Sequence, residues 1–201
     1  MKPIKDMKSL FATGLVFLSL CSCDGCGKIK EEMERFYGQH VTLPLDSMLH
    51  MADDSARPAR CGTDGYKIVV YYDSAECSSC RMKTLYEWND LIYSVSSSGC
   101  GLDFYFVFNV PRRRTEEVKA TLARYAEGLP VYLDTTGVFE RKNPNLPCLS
   151  QMRTFMLDRK DTVVLVGNPV RNSRVEAMMW DVVEGKDLVS TYDTHDNDDK
   201  H

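Results

Sequence analysis

The segment from Lys67 to Trp88, KIVVYYDSAECSSCRMKTLYEW, constrains this chain more than any other. It opens with β-branched and aromatic residues free of breakers, the composition of a strand. From Ser78 to about Val95 the apolar residues Met82, Leu85, Trp88, Leu91, Ile92 and Val95 keep helical spacing. Cys77 and Cys80 stand at the junction. A thiol at a helix N-terminus faces unpaired backbone N–H groups and the positive end of the helix dipole, and both stabilise a thiolate. Cys80, three positions on, shares a helical face with Cys77 and can close a disulfide within one turn. These residues predict redox chemistry on thiols. Glu76 and Asp73 oppose thiolate formation, whereas Arg81 and Lys83 favour it.

The residues after this segment predict an alternating order of strands and helices. A strand is expected over Leu102–Val110, apolar enough on both faces to be central. Thr115 to Gly128 carries helix start and stop signals, with Arg112–Arg114 as its solvated beginning. Pro130–Asp134 reads as a short strand, followed by a loop through Met152. Thr154–Asp158 and Thr162–Gly167 form a hairpin around Arg159-Lys-Asp, and Asn172–Gly185 is an amphipathic helix. Strands joined by a crossover helix should pair in parallel, and the terminal hairpin adds antiparallel strands.

The N-terminus has the pattern of a bacterial export signal: lysines at 2, 5 and 8, then Ser9–Leu20, about half as long as a membrane span. Leu20-Cys-Ser-Cys23 resembles a lipobox, and Ser22 is the small residue needed before an acylated Cys23. The expected organisation is a lipoprotein signal over residues 1–22, and a tether with an N-terminal extension over 23–60. One domain over 61–190 and a polar, acidic tail over 191–201 complete it. Helix is expected over Ile29–Gly38 and an extended piece from Val41. The net charge of −4 and the lack of a basic stripe argue against nucleic acid. The eight cysteines suit an oxidising compartment outside the cytoplasm.

The order of elements, with Cys-x-x-Cys between the first core strand and its helix, resembles the thioredoxin-like superfamily. Within it, the chain is most similar to the extracytoplasmic TlpA-like thiol-disulfide oxidoreductase lipoproteins. The resemblance rests on strand–CxxC–helix and on Met152-RTFMLDRKDTVVLVGNP, and covers about Lys67 to Gly185. It implies an α/β three-layer fold whose mixed central sheet holds a parallel βαβ unit and a C-terminal antiparallel hairpin plus helix. A strand–helix insertion over roughly Thr115–Asn143 is also implied. Cys77 would attack, Cys80 would resolve the mixed disulfide, and Met152, Arg153 and Thr154 would border the substrate groove. The partners implied are protein thiols or disulfides, an upstream thiol electron donor, and the membrane through the N-terminal lipid. No cofactor is implied. Two positions depart from the family pattern. Met152 stands where a cis-proline is usual, and a cis bond without proline costs roughly 3 kcal/mol, so a trans loop is expected. Tyr71 stands where thioredoxin has a buried acid, six residues before Cys77.

The remaining cysteines leave alternatives open. Cys61 and Cys100 precede the first and second core strands and are candidates for a structural disulfide at the sheet end opposite the redox pair. Cys148, in the loop entering the third core strand, is either a third redox thiol or a small buried residue. Cys23-x-x-Cys26 and Cys77-x-x-Cys80 are too far apart for a usual zinc site, so no metal is expected. Two rival functions stay in view: a non-catalytic binding module with an inert disulfide, and a peroxiredoxin-like peroxidase built on Ser74-Ala-Glu-Cys77.

Overall fold

The computed structural model describes residues 24–51, 65–73 and 82–186 of the 201. Its helices are α1 (Asp24–Phe36), α2 (Asn89–Ser98), α3 (Thr115–Tyr125), α4 (Val138–Lys142) and α5 (Ser173–Val183). Its strands are β1 (Leu49–His50), β2 (Tyr66–Tyr72), β3 (Leu102–Asn109), β4 (Val131–Asp134), β5 (Thr154–Leu157) and β6 (Val163–Val166). The strands form one sheet in the order β1-β4-β3-β2-β5-β6. β2, β3 and β4 run parallel, while β1, β5 and β6 are each antiparallel to their neighbours. A parallel β2–α2–β3 unit followed by the β5–β6 hairpin and α5 is a thioredoxin-like α/β fold, as the sequence predicts. The insertion between Thr115 and Asn143 supplies α3, β4 and α4, and β4 extends the sheet beyond β3.

Side chains alternate across the strands, so each face of the sheet builds its own core. One face carries Ile68, Val70, Phe104, Phe106 and Phe108 against Trp88, Leu91 and Val95, with Val118, Leu122, Met178 and Met179 completing the layer. Trp88 meets the rings of Phe104 and Phe106 edge-on, with centroids at 6.2 and 5.3 Å. The other face carries Val69, Tyr71, Val107, Phe155 and Leu157 against Phe36 of α1 and Phe139 of α4. Burying one such side chain contributes about 1.5–3 kcal/mol, so both layers are needed to hold the central strands.

Several local features depart from the sequence reading, each for a physical reason. The helix expected from Ser78 to Val95 is interrupted by a 3-10 turn at Leu85–Trp88. In 3-10 geometry side chains three apart eclipse, which lets Leu85 and Trp88 enter the same core together. α2 then runs on to Ser98, because Ser94, Ser96 and Ser98 donate their hydroxyls to carbonyls of the same helix. Gly99, at φ 67°, ends it. The region expected to be a loop after β4 contains α4. The Asp134 carboxylate starts it, accepting from the Phe139 N–H at 2.8 Å and the Thr136 N–H at 3.0 Å.

The N-terminal region also does more than tether. Phe36 and Val41 are each 1% exposed and sit in the core, and Met48 packs with them. His40 forms a single bridge with Thr162, the Val41 N–H donates to the Asp161 carbonyl at 2.8 Å, and the two-residue β1 lies at the far edge of the sheet. Gly65 is required where it stands, because a Cβ there would lie 2.6 Å from the Gly101 carbonyl oxygen. That close approach brings the starts of β2 and β3 together, with the Tyr66 N–H donating to Gly101 at 2.7 Å.

Candidate functional site

The site forms at the carboxyl ends of the parallel strands, where β2 releases its chain after Tyr72. β5 runs antiparallel to β2, so the turn that leads into β5 lies against β2's last residues. The Tyr71 N–H donates to the Arg153 carbonyl at 2.8 Å, which fixes that turn in place. The Gly167 N–H donates to the Thr154 carbonyl at 2.8 Å and brings in the segment from Asn168 to Arg171. With the 3-10 turn after Thr84, these segments enclose a cavity of about 390 Å³, lined by Tyr72, Glu87, Trp88, Gln151, Thr154 and Arg171 among others. Arg171 and Glu87 form an ion pair at 2.6 Å. β2 ends at Tyr72, and Asp73 and Met82 flank positions 74–81. The eight intervening positions hold Cys77 and Cys80, which lie outside the described residues.

Of the residues assigned to a substrate groove, only Thr154 is among those that line the cavity. Met152 is 4% exposed and points into the core, and no cis peptide bond occurs among the described residues. Arg153 turns to the other side of the turn and becomes its organiser. Its guanidinium pairs with Asp73, donates from Nε to the Pro147 carbonyl at 3.0 Å, and donates from Nη2 to the Cys148 carbonyl at 3.5 Å. It also lies over the Tyr71 ring, 5.7 Å from the centroid. One half-buried cation therefore joins Asp73, the residue after β2, to the loop that enters β5. The Cys148 N–H donates to the Glu32 carboxylate of α1, which holds that loop from its outer side.

Tyr71, where a buried acid would be usual, is 2% exposed and packs on Phe139 with ring centroids 4.8 Å apart. Its oxygen accepts from Asn109 Nδ2 at 3.3 Å, and the nearby Glu140 carboxylate disfavours its ionisation. Burial, foremost, raises the phenol well above its ordinary 10.0. The group is a neutral donor at physiological pH and not a base. The folded chain keeps a proton that the unfolded chain releases near pH 10. Stability from the protonated phenol is thus complete below that pH and falls above it, by up to about 1.4 kcal/mol per pH unit. Tyr71→Phe is expected to cost about 1 kcal/mol at pH 7. Its urea midpoint should then fall less steeply than the parent's between pH 10 and 11. Equal slopes would mean that the phenol titrates as freely in the folded protein as in the unfolded chain.

Cys148 is exposed and Cys100 half-buried, and both are free thiols. Cys100 Sγ accepts from the Ser98 hydroxyl at 3.0 Å at the opposite end of the sheet from the cavity. Cys61 and Cys23 lie outside the described residues, as does residues 191–201 of the tail. No helix among the described residues is long and apolar enough to cross a membrane, and none of their His, Cys, Asp and Glu side chains cluster as a metal site. The sequence reading missed the Asp73–Arg153 pairing altogether. The two residues are 80 positions apart, and only the register of β5 against β2 brings them together.

No protein-family model and no curated protein matches the chain. Solved structures do resemble it. One is a domain of a possible thiol-disulfide isomerase from Cytophaga hutchinsonii, at TM-score 0.49 and 13% identity, covering 74% of this chain and 95% of that one. Another is the thioredoxin domain of a thiol-disulfide oxidoreductase from Bacteroides vulgatus, at TM-score 0.43 and 16% identity, covering 71% and 96%. A third is StoA from Bacillus subtilis, at TM-score 0.42 and 14% identity, covering 59% and 85%.

Proposed function

We propose that this chain is a thiol-disulfide oxidoreductase that works outside the cytoplasm, tethered to a bacterial membrane through acylated Cys23. The observation that carries this reading is positional. In sequence Cys77-x-x-Cys80 follows β2, whose last residue, Tyr72, lines a cavity together with Thr84, Glu87 and Trp88, residues that come after the couple in sequence. The Cys77 thiolate attacks one sulfur of a client disulfide, making a mixed disulfide and releasing one client thiolate. Cys80 then attacks Cys77 Sγ, which releases the second client thiolate and leaves the Cys77–Cys80 disulfide. Two electrons have passed to the client, and an upstream thiol donor returns them by the same exchange. In reverse, the couple oxidises a client dithiol. Thr154 borders the client, and Cys148, an exposed free thiol, serves as a third exchanging thiol.

The test is a redox titration of the purified chain with its signal removed. A working couple is expected at roughly −270 to −120 mV, together with catalysed reduction of insulin disulfides. A potential below about −300 mV with no turnover marks an inert bridge, and the chain would then be a binding module on this fold.

A further inference from the structure

The cavity at the carboxyl ends of the parallel strands carries a charge pattern that the exchange chemistry above does not use. Among the described residues that line it two are charged, the acid Glu87 and the base Arg171. They meet at 2.6 Å, so the wall holds one charge of each sign and no net charge. We propose that this pair is the recognition element of a binding site for a free α-amino acid, with Glu87 taking the ammonium and Arg171 the carboxylate. The cysteines have no part in this binding, which stands apart from the oxidoreductase reading.

Each charge is set on its own fixed turn. The Glu87 N–H donates to the Thr84 carbonyl at 3.1 Å, and the next residue, Trp88, is anchored in the core against Phe104 and Phe106. The Arg171 N–H donates to the Asn168 carbonyl at 3.2 Å, and Asn168 Oδ1 accepts from the Val170 N–H at 2.9 Å. The bond from Gly167 to Thr154 ties that turn to β5. Both segments are therefore held without the ion pair. At 57% exposure for Arg171 and 26% for Glu87, the pair adds little to stability and opens readily. An anion that took Arg171 would leave Glu87 without its partner, and a cation that took Glu87 would leave the guanidinium without its own. A ligand with both charges around one carbon atom replaces the two partners at once, through charge-assisted hydrogen bonds. The volume of about 390 Å³ falls in the range of small-molecule sites. Ser150, Gln151 and Asn168 add uncharged hydrogen-bonding groups to its wall.

Isothermal titration of the full chain with glycine, L-methionine and L-glutamine tests this. Saturable binding of at least one is expected, with a dissociation constant of about 1 mM or lower. The N-acetyl form of that amino acid lacks the ammonium and its amide lacks the carboxylate. Each should bind about tenfold more weakly, or worse. Glu87→Gln should abolish the preference over the N-acetyl form and keep the preference over the amide, and Arg171→Met should do the reverse. A purely structural ion pair would not give that crossed loss. Urea midpoints report whether each variant folds, and where one does not, the blocked forms titrated into the parent chain decide. The proposal is overturned if none of the three amino acids binds saturably, if the blocked forms bind as tightly as the free one, or if folded variants keep both preferences. Each of these outcomes leaves the redox titration, and the reading it tests, untouched.

Discussion

Tyr71→Asp is expected to lower the unfolding free energy by about 4 kcal/mol or more near pH 7, a large part of what a domain of this size has. The substitution restores the residue type that the thioredoxin resemblance would place here, yet the surroundings have been rebuilt for a phenol. The ring packs on Phe139, its oxygen accepts from Asn109, and the negative charge of nearby Glu140 favours the neutral phenol. An aspartate would leave a void beside Phe139 and set a second carboxylate near Glu140, in a place that is 2% exposed. Burial and Glu140 would both raise the new group's folded pKa above its unfolded value near 3.9. The penalty should thus be greatest above that window and shrink as pH falls toward 4. Urea midpoints at pH 7 and pH 4.5 check this. A variant as stable as Tyr71→Phe at pH 7 would mean that the site takes a charge readily and that a buried acid could have stayed there.

The contrast explains what was legible in the sequence. Strand-forming composition and helical spacing gave the order of elements from Lys67 to Gly185, because the central strands bury both faces and each helix one. The β2–α2–β3 unit and the terminal hairpin followed from that order, and the insertion from the resemblance. What sequence could not show were contacts made by register. The resemblance sets Arg153 at the border of a groove, and it could not show that the pairing of Val70 with Thr154 also brings Arg153 to Asp73. Phe36 lay in a stretch dominated by Lys, Glu and Arg, so its place in the core was hidden by its neighbours' charge. α4 was missed because a five-residue helix has almost no periodicity, and its starting group, Asp134, lies outside it in sequence. The substitution of Tyr71 for an acid was visible in the sequence. Its consequence, a neutral phenol packed on Phe139, needed the position of α4.

Cys77→Ser is expected to reduce disulfide turnover by about a thousandfold or more, to the uncatalysed background, because a serine hydroxyl stays protonated where a thiol ionises and cannot form the mixed disulfide. Cys80→Ser should behave differently. Its first attack is intact, so one client sulfur should be captured per chain and held, since nothing resolves the adduct from the next turn of the helix. Cys148 then becomes the informative residue. Its loop is joined through Arg153 to Asp73, it is exposed, and its thiol is free. In Cys80→Ser it should take over resolution slowly, giving a Cys77–Cys148 disulfide that mass mapping can find and that Cys80→Ser/Cys148→Ala cannot form. If Cys77→Ser keeps more than about a tenth of the parent turnover while Cys148→Ala loses it, the attacking thiol is Cys148. The chemistry would then belong to the loop before β5, and the couple after β2 would be its resolving partner or an inert bridge.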